Sequence, residues 1–149
     1  LKVALAQMSP VWLNKLETLK KVEQAIIEAS NEAAELIVFG EGLVPGYPFW
    51  LALTGGAEWN TKVNKELHAH YVKNSITIEK GDLNAICELA KQHKIAIYLG
   101  IIERPEDRGG HSVYASLVYI NPLGEIQSNA RLWGNFPFPY PSDFVCRSR

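Results

Sequence analysis

Apolar and polar residues change their period several times along the chain, and each change marks an element. Residues 2–7 alternate and are rich in β-formers, which predicts a first strand. Ser9 and Pro10 end it. Asn14 with Glu17 three residues on makes a capping box. Leu16, Leu19, Val22, Ile26 and Ala29 then recur at helical spacing, with Lys20, Lys21, Glu23 and Glu28 on the opposite face. This helix is predicted to run to about Ala34. Leu36–Phe39 is short and wholly apolar, as expected of a strand inside a sheet. Residues 2–39 therefore read as a β-α-β unit.

Residues 40–56 form a long loop of Gly, Pro and aromatics, ended by Gly55-Gly56. A helical region is expected at about Glu58–Val72. A further helix is expected after Gly81, with Asp82 as its N-cap and Leu83, Ile86, Cys87 and Ala90 facing inward. Ile95–Ile101 is a strong strand, Glu103–Gly110 a polar loop and Val113–Ile120 the next strand. The turn Asn121-Pro122-Leu123-Gly124 leads to a hairpin partner at Glu125–Arg131. No internal repeat is visible. Composition shifts after Ser128. The tail carries prolines at 137, 139 and 141, a spacing that favours polyproline II and forbids a central strand. The expected division is thus 1–128 as the folded frame and 129–149 as an atypical Pro/aromatic tail.

Bulk properties narrow the function classes. The 149 residues suffice for one domain with a real core, and 47% apolar with 21% charged residues are ordinary for a soluble globular protein. A net charge of −1 without a long run of one sign points to neither nucleic acid nor anionic lipid. No apolar stretch approaches the roughly 20 residues that span a bilayer. Cys87 and Cys146 form neither a CxxC nor a metal pattern, so a reducing, cytoplasmic setting is expected. His68 and His70 lie two apart on one helix and point away from each other. His93 suits a helix C-terminus, and His111 sits in a loop. No metal site, phosphate loop or cofactor is expected. Gly40-x-Gly42 is followed by Pro45 and Pro48, not by a helix, which argues against a nucleotide-binding turn.

The candidate chemistry lies at Glu41. An apolar strand that carries a carboxylate at its carboxyl end, followed at once by a Gly/Pro turn, is a common way to build a site in an open α/β sheet. Taken alone, such a glutamate would more often be a solvated strand end. Its context changes the reading. The stretch LIVFGEGLVPGYP resembles the first signature of the nitrilase superfamily, the carbon–nitrogen hydrolases, except that the family's leading glycine is Ala33 here. A second, softer likeness lies in YLGIIERPEDRGGHSVYASLVYINPLGEI: a Gly-containing strand, a variable loop, an aromatic-led strand and a Pro-x-Gly hairpin turn. The resemblance covers roughly residues 2–128. The string GYPFWLALTGGAEWN is closer to the nitrilase branch than to the amidase branches.

This resemblance implies the N-terminal half of an α-β-β-α sandwich. It also implies hydrolysis of a small nitrile, or alternatively an amide, by a Glu-Lys-Cys triad in a homo-oligomer. Glu41 falls on the general base. The thiolate is the nucleophile of such a site, and a carboxylate in a mostly apolar pocket can take the thiol's proton. Tyr47 and Trp50 are expected to line the substrate pocket. The other two members of the triad are not matched. Where the family has a His-Arg-Lys-Leu-type motif, this chain has Asn129-Ala130-Arg131-Leu132-Trp133, with Arg131 on the arginine and Leu132 in the lysine's place. Cys146 has the wrong flanks for the nucleophile, and Cys87 reads as core packing. The chain is expected to be a fragment that is inactive alone. The rival expectation is a non-catalytic folded remnant or oligomerisation module.

Overall fold

A computed structural model describes residues 1–55 and 60–131. Expectations that fall on 56–59 or 132–149, including Leu132, Cys146 and the proline-rich tail, lie outside the described residues. The elements in chain order are β1 (Val3–Ala6), α1 (Lys15–Asn31), β2 (Leu36–Phe39), α2 (Trp50–Leu53), α3 (Lys62–Asn74), α4 (Asn84–His93), β3 (Ala96–Glu103), β4 (Tyr114–Ile120) and β5 (Ile126–Arg131). One five-stranded sheet runs in the order β1-β2-β3-β4-β5. The first three strands are parallel and the last two antiparallel to their neighbours.

Alternation along the strands divides the sheet into two unlike faces. Ile37, Phe39, Ile97, Leu99, Ile101, Val118 and Ile120 point to one side, where α1 supplies Leu19, Val22 and Ile26 and α4 supplies Ile86 and Ala90. Full burial of one such aliphatic side chain is worth about 1.5–3 kcal/mol, so this layer is the main source of stability. The other side carries Val3, Leu5, Leu36, Val38, Tyr98 and Tyr119. No described element covers that side over β1, and Leu5 there is 79% exposed. Tyr98 and Tyr119 pack on each other, with ring centroids 4.7 Å apart.

Several boundaries move from their expected places for identifiable reasons. The Asn14 side chain caps α1 by accepting from the Glu17 N–H at 3.1 Å, as the sequence predicts. The helix ends at Asn31 because Ala33 turns left-handed, with φ 56°. The Ala34 N–H then closes the end on the Ala29 carbonyl at 3.0 Å. Ala33 is where the resembled signature has glycine, the residue for which this φ is free. Leu16 points outward, and Thr18 takes an inward place by donating its hydroxyl to the Val11 and Asn14 carbonyls. Asp82 does not cap α4, which starts at Asn84. Its carboxylate accepts instead from the Thr77 N–H and Lys15 Nζ, both at 2.7 Å, and so ties the start of α1 to the turn. β5 continues the sheet ladder through Arg131, past the compositional change at 128.

Candidate active site

The site forms at the carboxyl ends of β2 and β3, which lie side by side and parallel. After Phe39 the chain leaves the sheet for Gly40–Leu43 and then returns to it. At the return the Val44 N–H donates to the Gly100 carbonyl at 3.4 Å, and the Ile102 N–H donates to the Val44 carbonyl at 2.7 Å. Glu41 therefore sits on a short arch pinned at both feet. The arch rests on Gly100. A β-carbon there would lie 2.7 Å from the Glu41 Cα and overlap the Gly40 carbonyl. Gly42, at φ +58°, turns the arch back above the Ile102 side chain.

Beside the arch lies an open cavity of about 310 Å³, lined by Glu41, Tyr47, Pro48, Tyr71, Ile102, Val113, Tyr114 and Ala115. Its walls are aromatic and aliphatic, with one carboxylate among them. The sequence led us to expect a mostly buried Glu41. The structure corrects this: Glu41 is exposed and borders the cavity, because it sits on the arch beyond the end of β2 and not within the strand. Among the described residues no hydrogen bond engages its carboxylate. Tyr47 also borders the cavity and is 63% exposed.

Trp50 is placed differently from Tyr47. It is 5% exposed and does not border the cavity. Its ring stands edge-on to that of Tyr71 at 4.9 Å and packs with Ile102, so it backs a wall that Tyr71 presents. Tyr71 is not among the residues that the sequence pattern singles out on this helix, where His68 and His70 stand out. The available signal was an aromatic one turn after Leu67 on the inward stripe of α3. Burial, and secondarily the nearby Tyr47, push the Tyr71 phenol well above its ordinary pKa.

A second carboxylate, also missed, ends β3. Glu103 is 1% exposed and receives Arg131 in a fork: Nε to Oε2 at 3.0 Å and Nη2 to Oε1 at 2.9 Å. The Ser116 hydroxyl donates to Oε2 at 2.7 Å, and the nearby Asn129 side chain also favours the charged carboxylate. Burial alone would raise the Glu103 pKa. The bonds from Arg131, Ser116 and Asn129, with the Arg131 charge, outweigh it and hold the carboxyl below its usual range. The bond to Glu103 likewise raises Arg131. The Arg131 guanidinium lies 5.0 Å from the Tyr114 ring centroid, a cation–π contact at the cavity wall.

The remaining candidates fall outside this cluster. Cys87 is half-buried against the main core, and burial pushes its thiol upward, the opposite of a nucleophile's need. His93 Nδ1 lies 2.9 Å from Ser30 Oγ between the ends of α1 and α4.

Comparison with known proteins agrees with the fold. The carbon–nitrogen hydrolase family model matches residues 2–141. An arylacetonitrilase of Macrophomina phaseolina is 40% identical over 124 residues, which are 83% of this chain and 33% of that protein. A nitrilase of Meyerozyma guilliermondii is 39% identical over 125 residues, 84% of this chain and 36% of its own length. The chain thus spans about a third of the length of the curated relatives it matches. Among solved structures, an amidase of Nesterenkonia AN1 from the nitrilase superfamily superposes with a TM-score of 0.58 at 18% identity, covering 93% of this chain and 49% of that one. A carbon–nitrogen hydrolase from Helicobacter pylori G27 gives 0.58 at 16% identity, covering 87% and 38%. The fold is that of the nitrilase superfamily. The chain belongs to the carbon–nitrogen hydrolase family, and its curated relatives carry the names nitrilase and arylacetonitrilase.

Proposed function

We propose that this chain carries the general-base half of a nitrile-hydrolysing site, with Glu41 as the base and an aromatic nitrile as the substrate. The observation that carries the reading is a carboxylate that no hydrogen bond engages among the described residues, on the rim of an apolar, tyrosine-lined cavity. The relatives named arylacetonitrilase support an aryl group in that cavity. Tyr47 would contact it directly, and Trp50 would act from behind through Tyr71.

In the reaction a thiolate attacks the nitrile carbon, giving a thioimidate. Water then releases ammonia and a carboxylic acid. Glu41 would accept the thiol proton and later pass protons to the departing nitrogen. Neither cysteine of this sequence has the flanks of the family nucleophile, and Leu132 stands in the place of the lysine. The chain by itself is therefore expected to bind an aryl nitrile without turning it over. Titration with phenylacetonitrile should shift the amide signals of Glu41 and Tyr47, and no ammonia should form. Ammonia release that disappears in Glu41→Gln would overturn the inactivity and send the search for the nucleophile to Cys146. Tighter binding of phenylacetamide than of the nitrile would favour the amidase branch.

A second reading rests on the uncovered side of β1. Leu5 and Val3 on that apolar face favour association with another copy, and thus a homo-oligomer. Light scattering tests this, and a monodisperse monomer would exclude it.

A further inference from the structure

We infer that Arg131, clamped by Glu103, is a positioning residue for the cavity, holding the Tyr114 ring in place as one of its walls. The inference rests on the cavity being the ligand site proposed above. The four groups concerned span three strands in register. Glu103 of β3 pairs with Tyr114 of β4, and Ser116 of β4 pairs with Arg131 of β5. The carboxylate takes both arms of the guanidinium at 2.9 and 3.0 Å and the Ser116 hydroxyl at 2.7 Å. That fork fixes the plane of the guanidinium as well as its position. The fixed plane then lies 5.0 Å from the Tyr114 centroid.

Tyr114 has particular need of such a support. It opens β4 directly after the loop holding Gly109 and Gly110, and it borders the cavity together with Val113 and Ala115. A ring at the first position of a strand has a strand neighbour on one side and a loop on the other. The ion pair, with Glu103 buried and Arg131 partly exposed, also has no evident purpose as a source of stability, since an apolar replacement of similar volume commonly serves as well. A ring held from behind is a purpose that an apolar pair would not meet, because only the guanidinium combines a fixed plane with attraction to the ring face.

The test uses the full 149-residue chain and two-dimensional NMR. Arg131→Lys keeps the charge but loses the fork. It should leave the β3–β5 amide pattern intact, move the Tyr114 ring signals, and weaken phenylacetonitrile at least fivefold. Acetonitrile, too small to reach a ring wall, should change less than twofold. Glu103→Gln should do the same. Lys20→Met, which breaks an exposed pair, should change neither. Equal weakening of both nitriles would mean a general structural role and would overturn the proposal. So would unchanged phenylacetonitrile binding in Arg131→Lys, with the functional reading left standing. If the parent chain binds no nitrile, the functional reading fails. The Tyr114 ring signals then decide, and rings unmoved in both variants overturn the proposal.

Discussion

Two glutamates stand at the carboxyl ends of neighbouring parallel strands, and the protein treats them in opposite ways. Glu41, just beyond β2, is exposed on a glycine-supported arch and engages no group among the described residues. Glu103, the last residue of β3, is sealed and satisfied by Arg131 and Ser116. A strand-end carboxylate is therefore not by itself a reactive one. What separates them is the next strand. β3 has β4 beside it and β5 beyond, which bring donors across to Glu103. The arch rests on the backbone of β3 at Gly100, and among the described residues no donor reaches the Glu41 carboxylate.

Removing the clamp should produce the largest effect. Arg131→Met would leave the Glu103 charge buried without its partner, at a cost of about 3 kcal/mol, measured by urea unfolding. Glu103→Met combined with Arg131→Met should recover most of that loss, because no charge is then stranded. Failure to recover would mean that the pair itself, not the stranded charge, carries the energy.

Next in size is Gly100→Ala. The added carbon must displace the arch, costing about 2 kcal/mol, and should shift the Glu41 amide resonance more than that of Glu103. A variant as stable as the parent would show that the arch is not held against β3.

Acid sharpens the comparison further. The Glu103 carboxyl is lowered in the folded state, so its contribution is fully present above the unfolded value of about 4.3 and fades as pH falls through the lower folded value. The stability gap between the parent and Glu103→Gln should accordingly shrink as pH drops below about 4. A gap independent of pH would refute the charged clamp. Glu41→Gln touches no partner among the described residues and should alter stability by no more than about 0.5 kcal/mol.

One substitution should bring a gain. Ala33 holds a φ of 56°, and Ala33→Gly should raise stability by about 1 kcal/mol in thermal unfolding.

Much of the frame was legible in the chain itself. β2 appears where four apolar residues predict it, the Asn14 cap forms, and the hairpin turns on Asn121. Each is decided by residues within a few positions of one another, through periodicity, capping or turn chemistry. The arch was legible for the same reason: its Gly and Pro residues are contiguous, and they form a family signature. Tyr71 at the cavity, Trp50 behind it, the exposure of Glu41 and the sealing of Glu103 were not legible. Those outcomes depend on pairs such as Glu103 with Arg131, or Gly100 with the Glu41 backbone, that lie far apart in sequence. Local pattern tells which residues can be buried or can accept a hydrogen bond. Which of two similar carboxylates is neutralised is decided only when the strands come together, because burial and partnership belong to the assembled sheet.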